Sequence, residues 1–364
     1  MILKDIISFL ESRANLSLQE SYDNSGLITG NASMEITGAI ISLDCTEEVV
    51  MEAQRKGCNL VIAHHPIVFS GLKKINGKNY VERTIIAAIK HDIAIYAIHT
   101  NLDNVSQGVN RKIAEVLGLQ DLKILEPMTG KLQKISVFVP ESYLEKVRLA
   151  MFEVGAGEIG QYDHCSWSVS GTGTFRAGEG AQPFTGSIGS DHHEPEHRLE
   201  LVFPTWKKSE VVAAMKSVHP YEEIAYDIYS IENQWTEIGA GMIGELPEEL
   251  NTLDFLQLVK TTMKAGVVRY TKPTKEKVKR IAICGGSGSF LLKQAIQSGA
   301  DVFVTADFKY HQFFDAESRI VIADIGHYES EQYTMQLLND WLKQKFPTFA
   351  SHLTEVITNP VYYL

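Results

Sequence analysis

LVIAHHP, residues 60–66, is an apolar run that stops on two neighbouring histidines and a proline. Inside a strand, adjacent side chains point to opposite faces, so His64 and His65 could not share one site there. Pro66 donates no ladder hydrogen bond and marks the strand's end. Both imidazoles are therefore expected on a loop just past the terminus, free to turn inward. Similar runs recur at GAIISL (38–43), IAIYAI (93–98), RIAIC (280–284), DVFVT (301–305) and RIVIAD (319–324). Helical stretches such as CTEEVVMEAQRKG, YVERTIIAAIKHD and SGSFLLKQAIQSGA lie between them. Near-continuous apolar strands alternating with helices predict an α/β fold, with a layered core of mostly parallel strands covered on both faces.

The middle of the chain reads differently. KISVFV, ESYLEKVRLAMFEVGA, the Gly/Ser-rich stretch through CSWSVSGTGTFRAGEG, RLELVFP, KKSEVVAAMKSVHP and IAYDIYSI follow one another. This β-α-β-β-α-β order predicts a ferredoxin-like α+β domain inserted at residues 131–232. Residues 1–130 and 233–364 then form the core domain, their strands being halves of one α/β layer.

Composition narrows the function. A net charge of −11 argues against sequence-independent nucleic-acid binding, which depends on positive surface. An anionic small molecule would have to be drawn by local cations or by bound metal. The four cysteines stand singly, which suits a reducing cytosol and gives no thiolate zinc cluster. MILKDIISFLES has the stripe of an amphipathic helix, and no apolar run approaches the ~18–20 residues of a membrane span. A soluble, cytoplasmic protein is expected.

In open α/β sheets ligands collect beyond the carboxyl ends of the strands. Here those ends carry Asp44, then His64 and His65, then HTNLDN with His99 and Asp103. Later strands are followed by GGSGS, by ADFKYH with Asp307, Lys309 and His311, and by GHYESE with His327 and Glu331. His327 and Glu331 are four apart at the start of an amphipathic helix, so one face presents both. They could bind one metal or bridge two. His64, His65, Asp103, His327 and Glu331 supply nitrogen and oxygen without thiolate, which suits Zn, Fe, Mn, Co or Ni. Five ligands leave open positions on two divalent ions, the arrangement of a catalytic centre. A bridged pair about 3.5–4 Å apart can activate water and clamp a substrate oxygen.

Other motifs carry less. GGSGS (285–289) lacks the G-K-[ST] ending of a phosphate loop and reads as a tight strand-to-helix turn. DHHEPEH (191–197) reads as a solvated polar loop, and His219 of HPYEE as a turn or domain contact. Cys45 and Cys284 read as small buried residues.

AHHP, HTNLD and GHYESE together resemble the Nif-three-like family, whose members carry the name GTP cyclohydrolase 1 type 2 homologue. SYDNSGL (21–27) is similar to that family's W-D-N-x-G-L, with Tyr22 in place of the Trp. GTFRAGEGAQPFTG and HPYEE resemble longer bacterial members with a PII- or CutA-like insertion. The resemblance implies a dinuclear site, with His65 and Asp103 on one metal, His64 and His327 on the other, and Glu331 bridging. It also implies a homohexameric toroid.

Two functions fit these readings. One is a metal-dependent hydrolase acting on a nucleotide-like or phosphorylated small molecule, with His99 transferring protons and Lys309 or His311 contacting an anion. The other is a regulatory or metal-handling assembly with little catalysis.

Overall fold

The computed structural model describes all 364 residues and places each of the six apolar runs in a parallel ladder. The chain opens with α1 (Leu3–Arg13) and β1 (Gly26–Thr29). It continues through β2 (Ala39–Ser42), α2 (Glu47–Arg55), β3 (Leu60–Ala63), α3 (Tyr80–Lys90) and β4 (Ala94–Ala97). Every residue of β2, β3 and β4 is buried, as expected for parallel strands covered on both faces. Helix starts are set locally. Thr46 caps α2 by accepting from the Val49 amide, and Asn79 caps α3 by accepting from Glu82. The one-turn α4 (Thr100–Asp103), α5 (Val109–Val116) and β5 (Gln120–Met128) come next.

Residues 128–236 form a separate unit. Its elements are β6 (Leu132–Pro140), α6 (Leu144–Glu153), β7 (Trp167–Arg176), β8 (Asp191–Pro204), α7 (Lys208–Val218) and β9 (Tyr226–Ile231). They make an antiparallel sheet in the order β7-β8-β6-β9. Ile135, Val137, Leu199, Leu201 and Phe203 of the strands meet Val147, Met151, Val211 and Met215 of the two helices in a single core. DHHEPEH is not a loop here. It is the first half of β8, paired residue for residue with Ser170–Arg176 of β7.

The first unit, residues 1–127 and 237–364, resumes with β10 (Trp235–Asn251), α8 (Thr252–Thr262), β11 (Arg269–Tyr270) and β12 (Lys277–Ser287). Then come α9 (Leu292–Gln297), β13 (Val302–Ala306), β14 (Val321–Asp324), α10 (His327–Glu331), α11 (Thr334–Lys345) and β15 (Ser351–Leu353). The strands do not share one layer. They form two sheets, β1-β4-β3-β2-β15 and β11-β14-β13-β12-β10-β5. The first has four parallel strands, β4-β3-β2-β15, with β1 antiparallel at one edge; in the second the parallel strands β14-β13-β12 have β11 and β10 antiparallel beside them. The helix after β14 is also in two pieces, so His327 and Glu331 sit on a short segment of their own. No helix is long and apolar enough to cross a membrane.

Candidate metal centre

The carboxyl ends of β2, β3, β4, β13 and β14 bring their polar residues together. His64 is fully buried, and its Nδ1 lies 2.8 Å from the carbonyl of Ile98. A carbonyl only accepts, so Nδ1 carries the proton and Nε2 is turned the other way. That Nε2 is buried without a hydrogen-bond partner, 3.6 Å from Asp103 Oδ1 and 3.8 Å from Glu331 Oε1. Asp103 Oδ1 is orphaned too. These separations are too long for hydrogen bonds. They approach the ~3.0–3.5 Å expected between two atoms that each stand about 2.1 Å from one ion.

The second half is built likewise. His65 places Nδ1 2.8 Å from Asp44 Oδ1 and Nε2 2.9 Å from Glu331 Oε2. His327 places Nδ1 2.7 Å from Asp307 Oδ2, while its Nε2 lies 3.1 Å from Glu331 Oε2 and 3.3 Å from His65 Nε2. Glu331 therefore stands between two groups, one oxygen toward His64 and Asp103, the other toward His65 and His327. The resemblance implied His65 with Asp103 and His64 with His327; in the structure the nearer neighbours are His64 and Asp103, at 3.6 Å, and His65 and His327, at 3.3 Å.

The backbone is shaped around Glu331. Gly286 has φ +61°, and a Cβ there would fall 2.4 Å from Glu331 Oε1. Only glycine provides both that conformation and that space. Gly326, at φ +95°, turns the chain from β14 into α10. GGSGS is thus a wall of the centre, its Gly286 amide donating to Ser330 Oγ at 2.9 Å.

Electrostatics agree with a cation site. Burial would raise the Glu331 carboxyl, but the His327 charge and the imidazole hydrogen bonds outweigh it and hold it well below the usual range. Burial, and then repulsion by Glu331, push Asp103 up. Burial alone would lower His65 and His327. Hydrogen bonds and carboxylate charge overcome it and raise them to about 9 and about 11. Protons thus collect where the carboxylates call for positive charge, on the same nitrogens a metal would use. The residues fit a divalent ion or a pair of them.

His99 joins the cluster from the start of α4, its ligating nitrogen within 4.8 Å of those of His64 and His65. Its Nδ1 lies 2.8 Å from Asp23 Oδ1. Burial would raise Asp23, but hydrogen bonds from His99 and Thr100 hold it far below the ordinary carboxylate range. Asp23, Asp44 and Asp307 are thus the carboxylates behind the imidazoles. Asp44 and Asp307 stood at strand ends, whereas Asp23 lay in SYDNSGL with no strand to announce it.

The centre opens on a cavity of about 750 Å³. Tyr22, Phe69 and Phe290 line it with exposed rings. Lys309 and His311 do not line it; both are exposed at the 3-10 turn over 310–316, which carries them away from the end of β13. The arginine or lysine that does line it is Arg269. Cys284 is a buried small residue in the wall, and His219 accepts from Tyr221 N within the other unit, as a turn residue would.

The sequence profile of Duf34/NIF3 (NGG1p interacting factor 3) matches residues 1–360. The chain is 38% identical to the GTP cyclohydrolase 1 type 2 homolog of Bacillus subtilis (strain 168), covering 99% of this chain and 98% of that protein. It is 34% identical to the protein of the same name from Staphylococcus aureus (strain COL), over all of both chains. Among solved structures, a Bacillus cereus protein related to NIF3 superposes with a TM-score of 0.87 at 37% identity, covering 100% of this chain and 99% of that one.

Proposed function

The chain belongs to the Duf34/NIF3 family, and from that premise we propose that it is a metal-dependent hydrolase. Its centre takes two divalent cations, one on His64 and Asp103, the other on His65 and His327, with Glu331 shared. One observation carries the reading. Three imidazole Nε2 atoms, each with its Nδ1 tied behind it, converge on one buried carboxylate. With nitrogen and oxygen donors only, Zn, Fe, Mn, Co and Ni all suit the site. Such ions supply Lewis-acid polarisation of a substrate oxygen and acidify water.

The chain's own side chains do the rest. Asp23 fixes the Nδ1–H of His99 and leaves Nε2 to take up and return a proton. Arg269 spends Nη2 on Asp324 and the Phe308 carbonyl, and its other nitrogens remain for an anionic group. With exposed rings at Tyr22, Phe69 and Phe290, this favours a nucleotide-like or phosphorylated small molecule. Metal-loaded protein incubated with GTP and a phosphoester panel tests the reading. Turnover should require metal and fall about 10²–10⁴-fold in His99→Ala. Absence of turnover throughout the panel would refute the hydrolase.

A second reading, metal handling or regulation without turnover, draws on the acidity of the same cavity. Glu20, Asp44, Asp103, Asp307, Asp324, Glu329 and Glu331 line it against a single arginine. Stoichiometric, reversible metal uptake without turnover would favour this reading. A homohexamer suits both. The open edges β7 and β9 are surfaces through which copies of the 128–236 unit would meet, and light scattering decides the oligomeric state.

A further inference from the structure

The segment after β15 has no regular structure from Thr354 on, yet it is fastened at nearly every second residue. Buried Glu52 of α2 accepts from the Thr354 hydroxyl and, at 3.0 Å, from the Glu355 amide. Val356 packs on the core of the first sheet. Thr358 Oγ1 donates to Asp44 Oδ2 at 2.8 Å, and Asn359 Nδ2 to Glu329 Oε1 at 3.1 Å. Asn359 and Tyr363 line the metal-centre cavity. The Tyr363 ring fills the space over Gly266, 2.3 Å from where a Cβ would lie. Holding irregular chain in one conformation costs conformational entropy at every residue. General packing would not require two of the fastenings to end on Asp44 and on α10.

A recurring arrangement explains the choice of Asp44. Behind His327, Asp307 Oδ2 accepts from Ser287 Oγ at 2.6 Å. Behind His99, Asp23 Oδ2 accepts from Thr100 Oγ1 at 2.5 Å. Behind His65, Asp44 Oδ2 accepts from Thr358 Oγ1 while Oδ1 receives the imidazole. Each of these three imidazoles is backed by a carboxylate, and each of those carboxylates by a hydroxyl. Two of those hydroxyls sit on regular elements, at the end of β12 and the start of α4. The third comes from the irregular segment, 314 residues from Asp44.

We propose that Thr358 is a positioning residue of the metal centre, which through Asp44 fixes the ring of His65 and anchors the Asn359–Tyr363 stretch that lines the cavity. The proposal rests on the metal-centre reading above. Without the hydroxyl, the Asp44 carboxylate, which has no other hydrogen bond than that to His65, is free to rotate. The His65 Nε2 would then lose its fixed direction toward Glu331. A supporting group behind a ligand imidazole is worth ~10–100-fold in metal affinity, and one group further out should act at the low end.

Cobalt(II) titration of the full chain tests this, reading stoichiometry, affinity and the visible absorption bands. Wild type should take up two ions. Thr358→Val, which keeps the shape and removes the donor, should bind one of them about tenfold more weakly and with altered absorption. Thr358→Ser, which restores the donor, should stay within about threefold of wild type. Ile357→Ala, at a residue 76% exposed, should match wild type and controls for general disturbance of the segment. Should Thr358→Val fail to fold, Thr358→Ala against Thr358→Ser makes the same comparison. A valine variant indistinguishable from wild type, or a serine variant as impaired as valine, would overturn the role of Thr358 alone. A wild type that takes up no cobalt would overturn the centre itself.

Discussion

Two stretches of this chain are crowded with histidines and carboxylates, and they come to opposite ends. The rim of the first unit gathers His64, His65, His99 and His327 from three different strand ends, and each has its Nδ1 held by an oxygen acceptor. The stretch DHHEPEH in the second unit has three histidines within six residues, all on one strand. There His192 is engaged by Glu194 at 2.8 Å, His193 is exposed, and His197 Nδ1 is buried without a partner. Along a strand the side chains alternate faces and stand one pleat apart, so density does not become convergence. Convergence needs several strands ending on one rim, with a second layer of acceptors to aim each ring.

The largest expected effect lies at the point of convergence. Glu331→Ala should lose both ions, because its two oxygens face separate ligand groups. Two metals retained per chain, measured by elemental analysis beside a folding check, would break the comparison. Gly286→Ala should come close behind. The added Cβ falls on Glu331 Oε1 at a positive φ, so metal content should drop and stability fall by about 1–3 kcal/mol by chemical denaturation.

Single ligands should then divide the centre. Asp103→Ala should empty the ion shared with His64, and His327→Ala the one shared with His65, each leaving about one metal per chain. Equal loss of both ions in either variant would contradict this pairing. A smaller effect is expected at the opposite end of the strands. Asp301 precedes β13 and accepts from Lys275 and from the amides of Lys279 and Arg280. Burial would raise its carboxyl, but these hydrogen bonds outweigh burial and lower it. Its stabilising effect is therefore present above the unfolded value of about 3.9 and is lost as pH falls through the depressed folded value. Asp301→Asn should destabilise by about 1–2 kcal/mol at pH 7 with metal content unchanged. The difference from wild type should shrink below about pH 4 in acid denaturation. The smallest effect sharpens the contrast: His192→Ala, His193→Ala and His197→Ala combined should leave the metal content as it was.

How much of this could be read from the chain depended on whether the signal was local. The six buried strands are runs of apolar residues, and the polar residues just beyond each run are visible by inspection. His64, His65, His99, Asp103, His327 and Glu331 therefore stood out together. Strand order is not a property of any run, which is why two sheets looked like halves of one. For the same reason the partnering of His64 with Asp103 needed β3 beside β4. DHHEPEH looked like a loop because alternation between two polar faces leaves no hydrophobic period. Lys309 and His311 stand outside the cavity because a 3-10 turn, not strand proximity, decides where they go. Asp23 and Thr358 act over 76 and 314 residues; SYDNSGL marked Asp23 as part of a motif but not its partner His99, and nothing near Thr358 announces its link to Asp44.

The placement of Glu331 has a consequence in time. Its partner His65 lies 266 residues earlier, on the far side of the inserted unit and in the other sheet. A ribosome adding about 5–20 residues per second needs roughly 10–50 s to travel between them. For most of that interval the proposed centre has His64, His65 and Asp103 but lacks Glu331. An ion held as proposed would, once Glu331 arrives, tie the two sheets together across that span, as a cross-link closing a very long loop would. Metal uptake would then be a sign that synthesis has passed residues 128–236 and that both sheets have met.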